Sequence, residues 1–189
     1  MVGFMRFELR QFPADKKNYP FKIYGDISMF HQVMRITFIL EGDLSEINLP
    51  SPGTSNRRFC LWEDSCFEVF FRDSSGKIPG YWECNFAPST EWNIFRFLEY
   101  RKEIKEDLHF SQIKIHPKQT SSCLELSIEL NLAESDFELL NLSVAISAVI
   151  KNKESKESKE SKESSLWALV HGRDRPDFHN PDSFVIELP

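Results

Sequence analysis

Phe59 to Arg101 reads FCLWEDSCFEVFFRDSSGKIPGYWECNFAPSTEWNIFRFLEYR, and its punctuation decides the fold. Turn formers cut it into three runs. Cys66-Phe67-Glu68-Val69-Phe70-Phe71 is apolar and aromatic, as strands are. Asp73-Ser74-Ser75-Gly76 and Pro79-Gly80 break it. Tyr81 to Phe86 is the second run, closed by Ala87-Pro88-Ser89, and Trp92 to Phe97 is the third. Two short connections predict a three-stranded antiparallel meander.

Successive side chains of a strand point to opposite faces. Phe67, Val69 and Phe71 therefore share one face, and Cys66, Glu68 and Phe70 the other. Trp82, Cys84 and Phe86 oppose Tyr81, Glu83 and Asn85, and Asn93, Phe95 and Phe97 oppose Trp92, Ile94 and Arg96. Each strand thus offers one nearly apolar face and one that mixes aromatic and polar groups. A register that aligns the mixed faces gathers Glu68, Glu83, Asn85 and Arg96 among aromatics. Polar groups in such surroundings are costly unless hydrogen-bonded. They satisfy one another or take a polar ligand.

Outward from this centre the same period recurs. Phe4 to Leu9, Phe21 to Ile27, Val33 to Leu40, Phe110 to His116, Cys123 to Leu130, Leu142 to Ile150, Leu166 to His171 and Ser183 to Leu188 read as further strands, with Pro117 ending the fourth of these. Residues 43–58, with Pro50, Pro52 and Gly53, form a long polar loop. Ala133 to Leu140 (AESDFELL) is the one stretch that suits a helix. Lys153 to Ser164 is four copies of Lys-Glu-Ser. A period of three fits neither a helical nor a strand face, so a disordered, solvated loop is expected at 152–165. About ten strands with almost no helix predict one all-β antiparallel domain spanning 1–189, a sandwich or a barrel.

The formal charge of −6 argues against nucleic acid as a partner, which needs a basic face. No apolar run approaches the roughly 20 residues of a membrane span. The first residues lack the basic start and apolar core of a signal peptide. Cys60, Cys66, Cys84 and Cys123 have no CxxC spacing, and three lie in strand-like runs. They read as reduced, and the expected compartment is the cytoplasm.

Leu61-Trp62-Glu63-Asp64-Ser65-Cys66-Phe67-Glu68-Val69-Phe70 resembles a signature of DOMON-like domains, which are related to family 9 carbohydrate-binding modules. Tyr81 to Ser89, Trp92, Arg96-Phe97, Leu166 to Leu169 and Pro176-Asp177-Phe178-His179 are similar to a bacterial subgroup of them. The resemblance spans essentially the whole chain. It implies a β-sandwich of ten or eleven strands whose concave sheet binds a sugar, or haem in some relatives. Sugar-binding relatives clamp the ring between two Trp, at positions that Trp62 and Trp167 fit. Glu68 fits the carboxylate that bonds sugar hydroxyls. Glu83 and Asn85 stand where relatives have an amide and an Arg, a departure, since Arg96 comes one strand later.

The expected function is a non-catalytic module for a sugar or glycoconjugate, with Trp62, Glu68, Glu83, Asn85, Arg96 and Trp167 as ligand-binding residues and no cofactor. Stacking area plus carboxyl and amide groups suits rings with apolar faces and polar edges. Two alternatives stand beside it. A haem module would need axial ligands, for which Met29, Met34 and His31 are the candidates. A glycosidase would use Glu68 and Glu83 as a carboxylate pair. His171, His179, Asp174 and Asp177 lack the spacing of a metal motif and read as turn residues.

Overall fold

Strictly alternating burial along the outer runs and unbroken burial along the central ones define the architecture. The computed structural model describes residues 3–13, 18–135, 141–153 and 164–189. Within them lie twelve strands: β1 (Gly3–Gln11), β2 (Phe21–Phe30), β3 (Val33–Gly42), β4 (Cys66–Asp73), β5 (Tyr81–Phe86), β6 (Trp92–Phe97), β7 (Lys105–Glu106), β8 (Lys114–Gln119), β9 (Cys123–Asn131), β10 (Leu142–Lys151), β11 (Ser164–Ala168) and β12 (Ile186–Leu188). All pair antiparallel, in the order β7-β6-β5-β4-β10-β11-β1-β2-β3-β9-β8, with β12 beside β10.

The sheet folds back on itself at the short β1–β11 junction, where Arg10 pairs with Ala168 and Gln11 with Trp167. Its two halves pack face to face as a β-sandwich. The core between them is aromatic: Phe38 of β3 meets Phe67 of β4 at 5.0 Å between ring centroids and Phe7 of β1 at 5.5 Å. Phe67, Val69 and Phe71, then Trp82, Cys84 and Phe86, all face this core, as their alternation predicts. Gly25 makes room for it, since a Cβ there would meet the Phe7 ring at 2.9 Å and the Thr37 carbonyl oxygen at 1.8 Å.

The half built from β1, β2, β3, β9 and β8 has a solvated outer face laced with ion pairs, such as Arg35 and Lys114 on Glu129. The other half is different. β4, β5 and β10 are buried on both faces, so something covers their outer side. There Phe70, Tyr81 and Ala145 join Phe95 and Phe97 of β6 in a second apolar layer, on which Phe178 and Phe184 pack.

Several boundaries differ from the sequence reading. β8 starts at Lys114, not Phe110, and runs through Pro117 instead of ending there. β8 is an edge strand, paired with β9 alone, so a missing N–H can face away from the ladder. β11 begins at Ser164 and ends at Ala168, and Lys151 pairs with Ser164, which joins β10 and β11 as a hairpin. Of the Lys-Glu-Ser repeat between them, Lys153 to Ser164, residues 154–163 lie outside the described residues, while Ser164 and Ser165, expected in the loop at 152–165, belong to β11. Of the expected helix at 133–140, Leu132–Glu134 forms one 3-10 turn capped by Asn131, and residues 136–140 also lie outside them. The four cysteines are free thiols, Cys66 and Cys84 buried, Cys60 and Cys123 partly exposed.

Candidate functional site

The outer face of β4, β5 and β10 carries the polar residues that the core could not take. Register sets them in rows. Ser147 pairs with Glu68, Glu68 with Asn85 and Asn85 with Asn93. In the next row Ala145 pairs with Phe70, Phe70 with Glu83 and Glu83 with Phe95. Glu68 and Glu83 are therefore diagonal neighbours on one face, close enough to interact.

They form the floor of a cavity of about 540 Å³, within the span of about 300–1,000 Å³ usual for small-molecule sites. Its walls include Trp62, Phe97, Phe178 and Ile104, with Leu166 and Val149 on the side of β10 and β11. Trp62 sits in the 3-10 turn Leu61–Glu63, which buries Leu61 and leaves Trp62 38% exposed, its ring against Phe95 at 6.1 Å. An indole half in water on a buried aromatic base is a surface on which a ring can stack.

The remaining wall is the segment 172–183, which crosses the outer face. Asp177 ties it down, accepting from the Tyr100 hydroxyl at 2.6 Å and from Arg101 Nη2 at 2.9 Å. The next turn of chain inserts His179 edge-on between Phe70 and Phe97, each with its centroid 5.1 Å away. His179 Nδ1 lies 2.8 Å from the Tyr81 hydroxyl, and Nε2 lies 3.7 Å from Glu83 Oε2. Tyr81 Oη also accepts from the Arg101 amide, and when its own proton goes to His179 Nδ1 the imidazole carries its hydrogen on Nε2, towards Glu83.

Burial governs the charges here. Glu68 is 3% exposed, and burial pushes its carboxyl up to about 8, with Glu83 adding to the rise and the Ser147 hydroxyl opposing it. Burial raises Glu83 as well, against the Asn85 amide and Arg101. Asn85 Nδ2 donates to Glu83 Oε1 at 2.8 Å and Ser147 Oγ to Glu68 Oε2 at 2.7 Å. Burial, helped by Arg101, lowers His179 to about 4. Near pH 7 Glu68 is a neutral acid that donates as well as accepts, and His179 is uncharged.

No protein-family model and no curated protein matches the sequence. Among solved structures, a candidate carbohydrate-binding protein from Bacteroides uniformis ATCC 8492 superposes with a TM-score of 0.66 at 13% identity, covering 98% of this chain and 85% of that one. A family 9 carbohydrate-binding module from Caldicellulosiruptor kristjanssonii in complex with glucose gives a TM-score of 0.42 at 8% identity, covering 92% of this chain and 78% of that one. The first chain has the same fold.

Of the six residues expected at the site, the structure gathers Trp62, Glu68 and Glu83 around the cavity and sets Asn85 beneath Glu83. Arg96 and Trp167 go elsewhere. Pairing of Asn85 with Asn93 brings Asn93, Phe95 and Phe97 to the mixed face, and Trp92, Ile94 and Arg96 to the other. The Arg96 guanidinium lies over the Trp82 ring at 3.9 Å and donates to the carbonyls of Pro79, Tyr81 and Phe97. Trp167 pairs with Ala148 and faces the core, with Phe21 at 5.1 Å and its Nε1 donating to Ser165 Oγ. The expected clamp of two tryptophans does not form, because they stand on opposite faces of the sheet. Leu166, one residue earlier, takes the outer position.

The sequence reading set His179 aside as a turn residue and gave no site role to Arg101, Phe178 or Leu166. Phe178 and His179 entered through the Pro176-Asp177-Phe178-His179 stretch and Leu166 through Leu166 to Leu169, both as parts of the resemblance, and nothing singled out Arg101. The haem candidates separate: Met29 and Met34 are a cross-strand pair buried in the core, and His31 sits in the β2–β3 turn. His171 Nε2 contacts the Arg10 carbonyl oxygen instead of a partner His or Asp. Among the described residues no three His, Cys, Asp or Glu are placed to hold a metal ion.

Proposed function

We propose that the protein is a sugar-binding module and that its ligand occupies the cavity between Trp62, Glu68, Glu83 and His179. One observation carries this reading: a half-exposed indole stands beside two buried carboxyl groups in a cavity of about 540 Å³. A pyranose has an apolar face for the indole and hydroxyls for carboxyls that both donate and accept. The fold shared with the Bacteroides candidate carbohydrate-binding protein supports the same reading. Trp62, on the wall of that cavity, is also a reporter. A panel of neutral and amine-bearing mono- and oligosaccharides, titrated against tryptophan fluorescence, tests the proposal. Saturable quenching that Trp62→Phe shifts and Trp62→Ala abolishes is expected, and a panel without response overturns it.

The diagonal Glu68–Glu83 pair, with Glu68 held protonated, also has the makings of a general acid beside a carboxylate. Release of nitrophenol from 4-nitrophenyl glycosides, abolished in Glu68→Gln and Glu83→Gln, would favour a glycosidase over a binding module. Absence of turnover with intact binding favours the module.

A further inference from the structure

Among the described residues the floor of the cavity holds two carboxyl groups and no cation. Ser147 and Asn85, which donate to Glu68 and Glu83, are both neutral. On the segment 172–183, His179 approaches Glu83 to 3.7 Å, but burial holds it uncharged near pH 7, and Asp177 and Arg173 pair with each other at 3.3 Å. Arg101 lines the cavity, yet its Nη2 and Nε both rest on Asp177. Arg58 is spent on Asp64 and Glu91. β10 contributes only Ser147 and Val149, β5 adds the Tyr81 phenol, and on Glu68's own strand Cys66 is a buried thiol driven well up.

Resting on the sugar reading above, we infer that the cavity selects an amine-bearing sugar, its ammonium seated between Glu68 and Glu83 and its ring face on Trp62. A hydroxyl can bond these carboxyls but brings no charge that would let both of them ionise. An ammonium brings three donors and the missing positive charge. Aromatic walls of Trp62, Phe97 and Phe178 suit a cation further, since ring faces attract it.

Seating the ammonium has a measurable consequence. Glu68 holds its proton near pH 7 because burial, with the Glu83 carboxyl beside it, disfavours its charged form more than the Ser147 hydroxyl favours it. When the cation arrives, Glu68 ionises, the carboxylate stays with the ammonium, and the proton leaves to the buffer. A neutral sugar leaves the proton in place.

Calorimetric titration of the full chain at pH 7 decides the matter, in two buffers of different protonation enthalpy. The paired probes are glucosamine with glucose and galactosamine with galactose. The expected result is that one amine-bearing sugar binds about tenfold or more tightly than its neutral partner, the ordinary advantage of a charge-assisted bond. Its buffer dependence should report proton release, and Glu68→Gln and Glu83→Gln should each erase most of the preference. Equal binding of the partners, or tight amine binding without proton release, overturns the inference and leaves the sugar site standing. No binding by any of the four overturns both.

Discussion

The Ser147 hydroxyl donates to the Glu68 carboxyl at 2.7 Å across the β4–β10 ladder, where the two residues are directly paired. That single neutral donor opposes the rise only in part: burial, at 3% exposure, still pushes the carboxyl up to about 8. Its protonated form is favoured by folding, so it contributes stability that is full below its unfolded value, about 4.3, and is lost as pH rises through about 8. His179 has the opposite sign. Its pKa of about 4 lies below that of the unfolded chain, so its contribution is full above about 6.5 and is lost as pH falls through 4. Between roughly pH 4.5 and 6.5 the His179 slope opposes the slopes of Glu68 and Glu83, both raised by burial, and above that the carboxyls act unopposed. Urea unfolding should therefore show stability falling by about 1–2 kcal/mol between pH 6.5 and 8. Glu68→Gln should remove the share of that fall that Glu68 carries. A profile of Glu68→Gln parallel to the parent between pH 6.5 and 8 would show that Glu68 ionises freely in the folded protein.

Asp177 fastens the segment 172–183 to the connection after β6 through Tyr100 and Arg101. Asp177→Asn keeps the shape but removes the charge from both bonds. Part of the pair is exposed to solvent, so the expected loss of stability is modest, about 1 kcal/mol. The larger effect should be local: the backbone amides around His179 should exchange with solvent faster, because Asp177 is the residue that fastens that segment to the connection after β6. Unchanged exchange there would mean that Phe178 and His179 hold the segment without help.

The four thiols divide into two pairs. Cys66 and Cys84 have no exposed surface, and burial raises both far above the ordinary thiol range. Cys60 and Cys123 are partly exposed. A thiol reagent should label two groups of the native protein readily and all four once it is denatured, without reductant. Fewer than four in the denatured chain would reveal a disulfide.

The meander from Cys66 to Phe97 was legible because an alternating pattern with short turns states both the strands and the two faces of each. What it left open was which face of β6 joins which face of β5. That choice turns on a one-residue register, and Arg96 followed the wrong face. Trp167 was misplaced for the same physical reason, since in β11 the neighbours Leu166 and Trp167 are both apolar and either could point inward. Glu68 and Glu83 were found because a carboxyl between aromatic neighbours has no ordinary reason to be there. His179 was not, because no strand period extends into 172–183. Its position comes from Asp177 and Tyr81, contacts that join residues 76 and 98 apart in sequence.

Trp62 and Trp167 offer the sharpest contrast, because the same substitution should have opposite consequences at the two positions. Trp167 is 5% exposed and packs against Phe21 and Tyr19 in the core, so Trp167→Ala leaves a cavity there. Its expected cost is about 3–5 kcal/mol of unfolding free energy. Trp62 is 38% exposed and fills no core, so Trp62→Ala should cost about 1 kcal/mol or less. For ligand binding the order reverses: Trp62→Ala removes the stacking surface, and Trp167→Ala, studied below its melting temperature, leaves the outer face of β11 to Leu166. Leu166→Ala supplies the control, a small change on the cavity wall with a partial loss of affinity. Melting curves and sugar titrations on the same three variants test this together. A Trp62→Ala protein that unfolds as easily as Trp167→Ala, or that binds sugar as the parent does, would remove Trp62 from the site.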